Sequence, residues 1–357
     1  MDGQAAFFKK LGYDVYLISQ DHYKEKLFCE KEGIKHLPVD IVAHIHPLKD
    51  LVALFQIIKH LLIINPDIVN AGTAKMGLLA MFSSYLLGIK KRIFTCRGLR
   101  FETESGVLRW VLMGMERLTV ALAHQVIYVS PSLKNAAIRY GVANSSKAIV
   151  IAQGSSNGVD ISSFNRSRID PVERNNLLEK YELRGKLVIG FVGRISLHKG
   201  VYELVDVFED LYEKNASIRL ILMGHIKCDA SFEKRFRGHP GIIHIPFQDD
   251  VPLYMSLFDI FVLPSWREGF PNVPIQAAAM GIPVIVSDAT GCVDSVSEYE
   301  TGLTFKMKDV SDLKSKLSNY IDNKSLRLKH GDSGVNWARL FDSQSIWDGI
   351  FKVYLKF

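Results

Sequence analysis

The sequence of 357 residues predicts two doubly wound α/β domains. Three observations indicate this fold class. The length is ample for two domains that each bury a core. From Asp14 onward, short β-rich runs alternate with helical patterns, as in parallel sheets built of βαβ units. Finally, the stretch 153–170 interrupts the alternation with glycine, serine and asparagine, which favours a boundary between domains there.

The predicted strands are short runs rich in apolar and β-branched residues. They comprise 14–19, 67–72, 91–96 and 125–130 in the first half, and 187–192, 219–223, 242–245, 260–264 and 283–287 in the second. Helical patterns separate them. The clearest helix follows the strand 187–192, because apolar residues recur there with the three-to-four spacing of one buried stripe: Val201, Leu204, Val205, Phe208, Leu211 and Tyr212.

We assign residues 1–165 to an amino-terminal domain, 166–336 to a carboxy-terminal domain and 337–357 to a terminal helix. The apolar stripe of that helix, with Trp347, Ile350, Phe351, Tyr354 and Leu355, predicts that it packs as a core element, with the first domain as one candidate surface.

The first domain begins unusually. A doubly wound domain normally opens with a buried central strand, whereas here Gly3-Gln4 leads directly into a helical stretch, 5–11. We therefore expect the first strand to be missing, either through truncation or through a start codon assigned too late. A sheet without its central strand loses ladder bonds and packing and should be unstable.

Composition narrows the possible functions. Apolar residues make up 48% of the chain and charged residues 23%, as in an ordinary globular protein. The four cysteines form no CxxC pair, so neither a zinc site nor a disulfide framework is indicated and a reducing cytoplasm is expected. No apolar stretch reaches the length of a membrane span and no signal peptide is evident.

The net charge of +6 is unevenly distributed. Residues 1–165 carry nineteen Lys and Arg against thirteen Asp and Glu, so the whole excess lies in the first half. This bias suits an anionic membrane surface or a phosphorylated acceptor, and equally an ordinary solvated face. A nucleic-acid binder is not indicated, because the charge is modest and no aromatic-basic platform is evident.

Two loops of the second half combine charge with glycine where predicted strands end. Gly193 and Arg194 follow the strand 187–192, and Lys199 and Gly200 precede the next helix. Glycines permit close backbone approach, and a helix amino terminus with two cations can hold a diphosphate. The alternative is a solvated turn with a glycine cap.

The second loop follows the strand 260–264 and contains Glu268-Gly269-Phe270-Pro271, with Gln276 on the helix beyond. A carboxylate there can accept hydrogen bonds from sugar hydroxyls. An acidic loop residue by itself does not indicate a binding site. A nucleotide sugar, however, needs groups that neutralise its phosphates at one end and groups that bind its hydroxyls at the other. The two loops in one domain therefore favour a nucleotide-sugar site.

These segments resemble the family 4 retaining glycosyltransferases of the GT-B fold, over essentially the whole chain. The resemblance also includes 157–160 with Phe164 in the linker, and Gly3-Gln4 near the start. It implies two Rossmann-like domains that face a cleft, the first binding the acceptor and the second the nucleotide-sugar donor.

The resemblance also implies roles for individual residues. Arg194 and Lys199 would bind the donor diphosphate, and Glu268 would contact the transferred sugar. The remaining donor-binding candidates are Gly193, Gly269, Phe270, Pro271, Asn272, Gln276 and Arg97.

Two of these candidates depart from the family pattern. Gln276 stands where a second glutamate usually binds the ribose, so it keeps an acceptor oxygen without the charge. Arg97 stands where relatives often have histidine. Two roles are open for Arg97: it reaches a phosphate or an acidic sugar, or it only braces its loop.

The residues and the resemblance together thus imply a retaining, metal-independent hexosyltransferase that needs no cofactor. Its expected donor is a UDP-linked hexose or N-acetylhexosamine, and its expected acceptor a lipid-linked sugar or an oligosaccharide in surface-polysaccharide biosynthesis. It would act in the cytoplasm, with peripheral contact to the inner face of the plasma membrane as one option. Two alternatives are a non-catalytic nucleotide-sugar-binding subunit and a UDP-sugar epimerase of the same fold.

Overall fold

The computed structural model describes residues 3–42 and 45–356. In this part of the chain the strands are β1 (Tyr16–Gln20), β2 (Lys35–Val39), β3 (Ile68–Ala71), β4 (Lys91–Cys96), β5 (Gln125–Tyr128), β6 (Ala148–Val150), β7 (Leu187–Val192), β8 (Ile218–Met223), β9 (Ile242–Ile245), β10 (Ile260–Leu263), β11 (Val284–Ser287) and β12 (Gly302–Phe305).

The α-helices of the same residues are α1 (Gln4–Lys10), α2 (Tyr23–Glu32), α3 (Pro47–Ile64), α4 (Ala74–Leu86), α5 (Gly106–Leu122), α6 (Pro131–Arg139), α7 (Pro171–Lys180), α8 (Val201–Lys214), α9 (Ala230–Gly238), α10 (Val251–Met255), α11 (Asn272–Ala279), α12 (Val310–Asp322), α13 (Lys324–Ala338) and α14 (Ser343–Leu355). None of these helices is long and apolar enough to cross a bilayer.

The chain divides into two compact units. Unit 1 comprises Met1–Gly158 and Gln344–Phe357, and unit 2 comprises Val159–Ser343. The first boundary therefore lies before the predicted 165/166, because Val159 exchanges backbone hydrogen bonds with Phe341 and Ser343, and Phe164 packs in the core of unit 2. The predicted terminal segment 337–357 is divided between the units, with 337–343 in unit 2 and 344–357 in unit 1.

Unit 1 contains two parallel sheets. One has the strands β1 and β2, and the other has the order β3-β4-β5-β6. Where a doubly wound domain usually opens with a strand, residues 4–10 of this chain form α1, which precedes β1. Ile18 of β1 and Val69 of β3 nevertheless pack on one core cluster with Val39 and Ile57, so α3 covers both sheets.

A second core cluster of unit 1 is formed by its two terminal helices. Phe8 of α1 packs with Ile346 and Ile350 of α14, and with Ile93 and Ile127 of the four-stranded sheet. Within the predicted apolar stripe of the terminal helix, Ile350 is buried and Leu355 is exposed. The other three members are half-buried: Trp347, Phe351 and Tyr354. Phe357 lies outside the described residues.

Unit 2 is built on a six-stranded parallel sheet with the order β12-β11-β10-β7-β8-β9. Every residue of β10 and β11 is buried, which is expected for parallel strands covered by helices on both faces. Of the stripe predicted for α8, all members are buried except Tyr212, which lies at the edge of the core.

Candidate functional site

The strand order of unit 2 places a topological switch point between β7 and β10. From β7 the chain proceeds outward through β8 and β9, then returns to the other side of β7 with β10 and continues to β11 and β12. The connections that leave the two neighbouring strands at such a point run in opposite directions across the sheet, and ligands bind in the crevice at the strands' carboxyl ends. The loops 193–200 and 264–271 follow β7 and β10, and they are the two loops that the sequence singles out.

The loop 193–200 ends in a tight turn against the second loop. Residues Leu197–Lys199 form a 3-10 turn, and Gly200 has φ 69° where α8 begins. A Cβ at Gly200 would lie 1.9 Å from the carbonyl oxygen of Pro264. Glycine is therefore required both by the left-handed backbone and by the close approach of the two loops.

The loop 264–271 is held from its other side. The backbone N–H of Glu268 donates to the carbonyl of Thr290 at 3.0 Å, and a Cβ at Gly291 would lie 2.5 Å from the carbonyl oxygen of Gly269. Behind it, the buried Ser287 hydroxyl donates to the Ser265 carbonyl at 2.5 Å. The position of Glu268 is thus set by backbone contacts.

The two loops bring Lys199 and Glu268 together. The ammonium group of Lys199 donates to Oε1 of Glu268, and the two side chains are only 20% and 16% exposed. Because an ammonium group has three N–H donors and a carboxylate has two oxygens, the pair keeps further hydrogen-bonding capacity. The site therefore presents a cation and an anion side by side in a partly desolvated setting, where charge interactions are stronger than in water.

Trp266 links the same loops and was not singled out from the sequence. Its backbone N–H donates to the carbonyl of His198 at 3.0 Å, and its indole N–H donates to Oε1 of Glu203 at 2.8 Å. The ammonium group of Lys308 lies 3.8 Å from the centroid of its ring, within range of a cation–π interaction. Because Glu203 lies in the first turn of α8, Trp266 fixes the start of that helix relative to the second loop.

Three other residues predicted for unit 2 lie near Lys199 or Glu268 in the sequence. Arg194 is exposed and makes no hydrogen bond or ion pair with any described residue. The ring of Phe270 packs on Phe341, with centroids 5.1 Å apart, so contact with a ligand is left to its backbone. Gln276 is half-buried on α11.

Five further predicted residues complete the set. Gly193 follows β7, Gly269 and Pro271 lie in the second loop, and Asn272 begins α11. Arg97 belongs to unit 1, where it follows β4 and its guanidinium group lies over Gly72. A Cβ at Gly72 would be 3.1 Å from the guanidinium carbon, so Arg97, which is exposed, packs closely on the residue that follows β3.

A pair of stacked rings next to the cationic loop also escaped the sequence-based prediction. His225 and Phe247 follow β8 and β9, and their rings are nearly parallel, at 10°, with centroids 5.4 Å apart. Phe247 is 55% exposed. The backbone N–H of Ile195, in the loop 193–200, donates to the His225 carbonyl at 2.9 Å. The structure thus places an exposed aromatic surface beside the loop that carries Arg194 and Lys199.

Both halves of the chain match known families. The profile described as "Glycosyltransferase Family 4" matches residues 4–162, and that described as "Glycosyl transferases group 1" matches residues 173–337. Each match lies almost entirely within one structural unit.

Similar proteins extend over the whole chain. The capsular polysaccharide biosynthesis glycosyltransferase CapM of Staphylococcus aureus is 33% identical, covering 100% of this chain and 93% of CapM. The N,N'-diacetylbacillosaminyl-diphospho-undecaprenol alpha-1,3-N-acetylgalactosaminyltransferase of Campylobacter jejuni is 25% identical over 95% of this chain and 89% of its own.

A solved structure has the same fold. The structure of Anabaena HepE in complex with UDP-glucose aligns with a TM-score of 0.80 at 18% identity, covering 99% of this chain and 94% of that one. Together with the two family matches and the identity to CapM, this similarity shows that the chain belongs to the family 4 glycosyltransferases and has the GT-B fold.

Proposed function

We propose that this glycosyltransferase is a retaining, metal-independent hexosyltransferase that uses a UDP-linked hexose or N-acetylhexosamine. The observation that carries the proposal is the contact between Lys199 and Glu268 across the two loops at the switch point. A nucleotide sugar joins an anionic diphosphate to a hydroxyl-rich ring, so it offers a partner to each of these two groups. In support, the chain has the fold of HepE, which has been solved with UDP-glucose.

In the proposed mechanism, Lys199 and Arg194 neutralise the departing diphosphate and Glu268 accepts hydrogen bonds from the sugar hydroxyls. The acceptor hydroxyl attacks the anomeric carbon on the face from which the phosphate leaves. Its proton passes to the leaving phosphate oxygen as the glycosidic bond forms, so no nucleophile of the enzyme is needed. Positive charge held in place beside the developing phosphate charge lowers the barrier without reorganisation.

We propose that the nucleobase lies on the exposed Phe247 ring. Stacking on an aromatic ring is a favourable interaction for a base. The hydrogen bond between Ile195 and His225 ties this surface to the cationic loop, which fits a ligand whose base and diphosphate are covalently joined.

For the acceptor we propose a lipid-linked sugar of surface-polysaccharide biosynthesis, handled on the cytoplasmic side of the plasma membrane. The proposal is supported by the names of the two relatives, one a capsular polysaccharide enzyme and the other a transferase acting on an undecaprenol-linked sugar. The basic excess of residues 1–165 also suits such an acceptor, since its diphosphate is anionic.

The experiment begins with a thermal-shift screen of nucleotide sugars, since a ligand that binds only the folded protein raises the apparent stability. The stabilising donor is then incubated with membrane extracts containing lipid-linked acceptors. Lys199→Ala and Arg194→Ala should each lower kcat/KM on the order of 100-fold or more, the usual effect of losing one charge-stabilising group. Lys234→Ala, which removes an exposed lysine from α9, is the matched control and should retain activity.

The thermal-shift screen and the transfer assay together distinguish the proposed function from the two alternatives. Lys199→Ala with wild-type activity and an unchanged melting temperature would refute the proposed role. Donor binding without transfer would favour the non-catalytic subunit, which Gln276 in place of the usual glutamate makes worth testing. A new sugar formed from the donor alone would identify an epimerase.

A further inference from the structure

Helix α3 of unit 1 is apolar on two opposite sides. Its inner side buries Ala53, Ile57 and Leu61 in the core. Its outer side carries a second apolar stripe at helical spacing, in which Leu48, Phe55 and Ile63 are 74%, 63% and 72% exposed. The stripe also includes Leu51, Val52 and Leu62. A helix that is apolar all round is normally covered on every side.

Helix α5 repeats this arrangement. Leu112 and Met113 are buried, while Val107, Trp110 and Leu118 on its outer side are 79%, 66% and 46% exposed. The outer side also includes Val111, and small Gly114 lies between these residues.

Helix α4 connects the two stripes, because it packs against both α3 and α5. Its last turn adds exposed Tyr85 and Leu86. Isolated exposed apolar residues are common on globular proteins, whereas a surface drawn from three adjacent helices marks an interaction site. We call this surface the α3–α5 face.

The exposed charged side chains of these three helices are all basic. All residues of the three helices are described, and their carboxylates are Asp50 and Glu116. Asp50 is paired with Lys75 at 2.6 Å, and Glu116 is buried. Lys49, Lys59 and Arg117 are exposed. The α3–α5 face therefore combines apolar side chains with cations and exposes no carboxylate.

We propose that the α3–α5 face docks on an anionic lipid bilayer. The inference deepens the proposed function, since it names the surface by which the enzyme would reach a lipid-linked acceptor. Apolar side chains enter the boundary between headgroups and acyl chains, tryptophan settles at that level, and lysines contact anionic headgroups. A second copy fits less well, because a twofold contact of this face with itself would bring Lys49, Lys59 and Arg117 of both copies together.

The test uses the full chain and sucrose-loaded vesicles of phosphatidylcholine, with and without phosphatidylglycerol. The wild-type protein should sediment with the anionic vesicles and at least 10-fold less with the neutral ones. Phe55→Glu combined with Trp110→Glu should weaken binding to the anionic vesicles at least 10-fold, because each change places a carboxylate where the face meets anionic lipid. The control carries Val172→Glu and Leu328→Glu, on α7 and α13, which are 66% and 58% exposed, and it should bind like the wild type.

A second measurement does not depend on these variants. Brominated lipids should quench the fluorescence of the wild-type protein, and Trp110→Phe should lose most of that quenching, because its ring lies on the face. Absence of wild-type binding, equal loss in the control, or quenching that survives Trp110→Phe would overturn the proposal. Equal sedimentation with neutral vesicles, or an oligomer in solution that the Phe55/Trp110 variant abolishes, would also overturn it.

These outcomes are separable from failure of the proposed function. Lys199→Ala should bind vesicles like the wild type and lose transfer. The Phe55/Trp110 variant should keep the thermal shift caused by the nucleotide sugar. Vesicle binding with no transfer in any protein would therefore refute the proposed function and leave the docking surface standing.

Discussion

Replacing the buried Glu116 by glutamine should change how the stability of unit 1 depends on pH. Glu116 lies on α5 and is 4% exposed, and the Cys96 thiol donates to its Oε1 at 3.4 Å. Burial raises the pKa of Glu116 from 4.5 to about 7, and the Cys96 contact offsets only part of that effect. Burial also raises the pKa values of Cys96 and Tyr128, which lie beside it.

The sign follows from proton linkage. The folded state holds the Glu116 proton more tightly than the unfolded state, so the free energy of unfolding falls as pH rises from 4.5 to about 7 and then levels off. A pKa difference of about 2.5 corresponds to about 3 kcal/mol of lost stability. Glu116→Gln has no proton to lose and keeps an oxygen that can accept from Cys96, so it should be free of this loss.

Amide hydrogen exchange of peptides from β4 and α5 measures the relevant opening free energy without assuming that both units unfold together. Between about pH 5 and about pH 8, the wild-type value should fall by about 2.5 kcal/mol relative to Glu116→Gln. Glu30→Gln, which removes an exposed carboxylate from α2, should follow the wild type at both pH values. Opening free energies of the wild type and Glu116→Gln that run parallel over this range would refute the reasoning.

Three further predictions concern unit 2. Gly200→Ala should lower the melting temperature and nucleotide binding together, because its Cβ would collide with the Pro264 carbonyl and its φ of 69° disfavours alanine; an unchanged melting temperature would contradict this. Phe247→Ala should weaken UDP binding about 10-fold, since base stacking contributes about 1–3 kcal/mol, and should leave the melting temperature of the free protein unchanged, which calorimetry and thermal denaturation can check. Trp266→Phe should cost about 1–3 kcal/mol of stability, because the half-buried Glu203 carboxylate loses its indole donor; urea denaturation curves that overlay would exclude that contribution.

All the central strands of the two units could be predicted from the sequence, together with the edge strands β1, β3 and β9. β7, β10 and β11 are covered on both faces, so each is a nearly continuous apolar run. The strands absent from the prediction, β2, β6 and β12, all lie at the end of a sheet. β2 even contains Pro38, which an edge strand tolerates because one side of its backbone needs no partner.

The candidate site could likewise be predicted from the sequence only in part. Lys199 and Glu268 could be singled out because charge beside glycine after a buried strand is a local pattern. Their direct contact depends on β7 and β10 being neighbours, which follows from topology. Trp266 and Phe247 carried no such signal, since an aromatic residue in a loop looks the same in sequence whether its ring is buried or exposed. Only the packing of unit 2 distinguishes them.

The pairing of Lys199 with Glu268 also bears on ligand selectivity. The two charges largely cancel, so the pair by itself attracts a simple anion weakly, and an anion that drew Lys199 away would leave a carboxylate that is only 16% exposed without its partner. A ligand that offers phosphate oxygens to the lysine and hydroxyl donors to the glutamate replaces both halves of the interaction at once. If the pair holds the donor as proposed, we expect it to favour a nucleotide sugar over a free nucleotide or inorganic phosphate, because only the sugar nucleotide leaves neither charge unsatisfied.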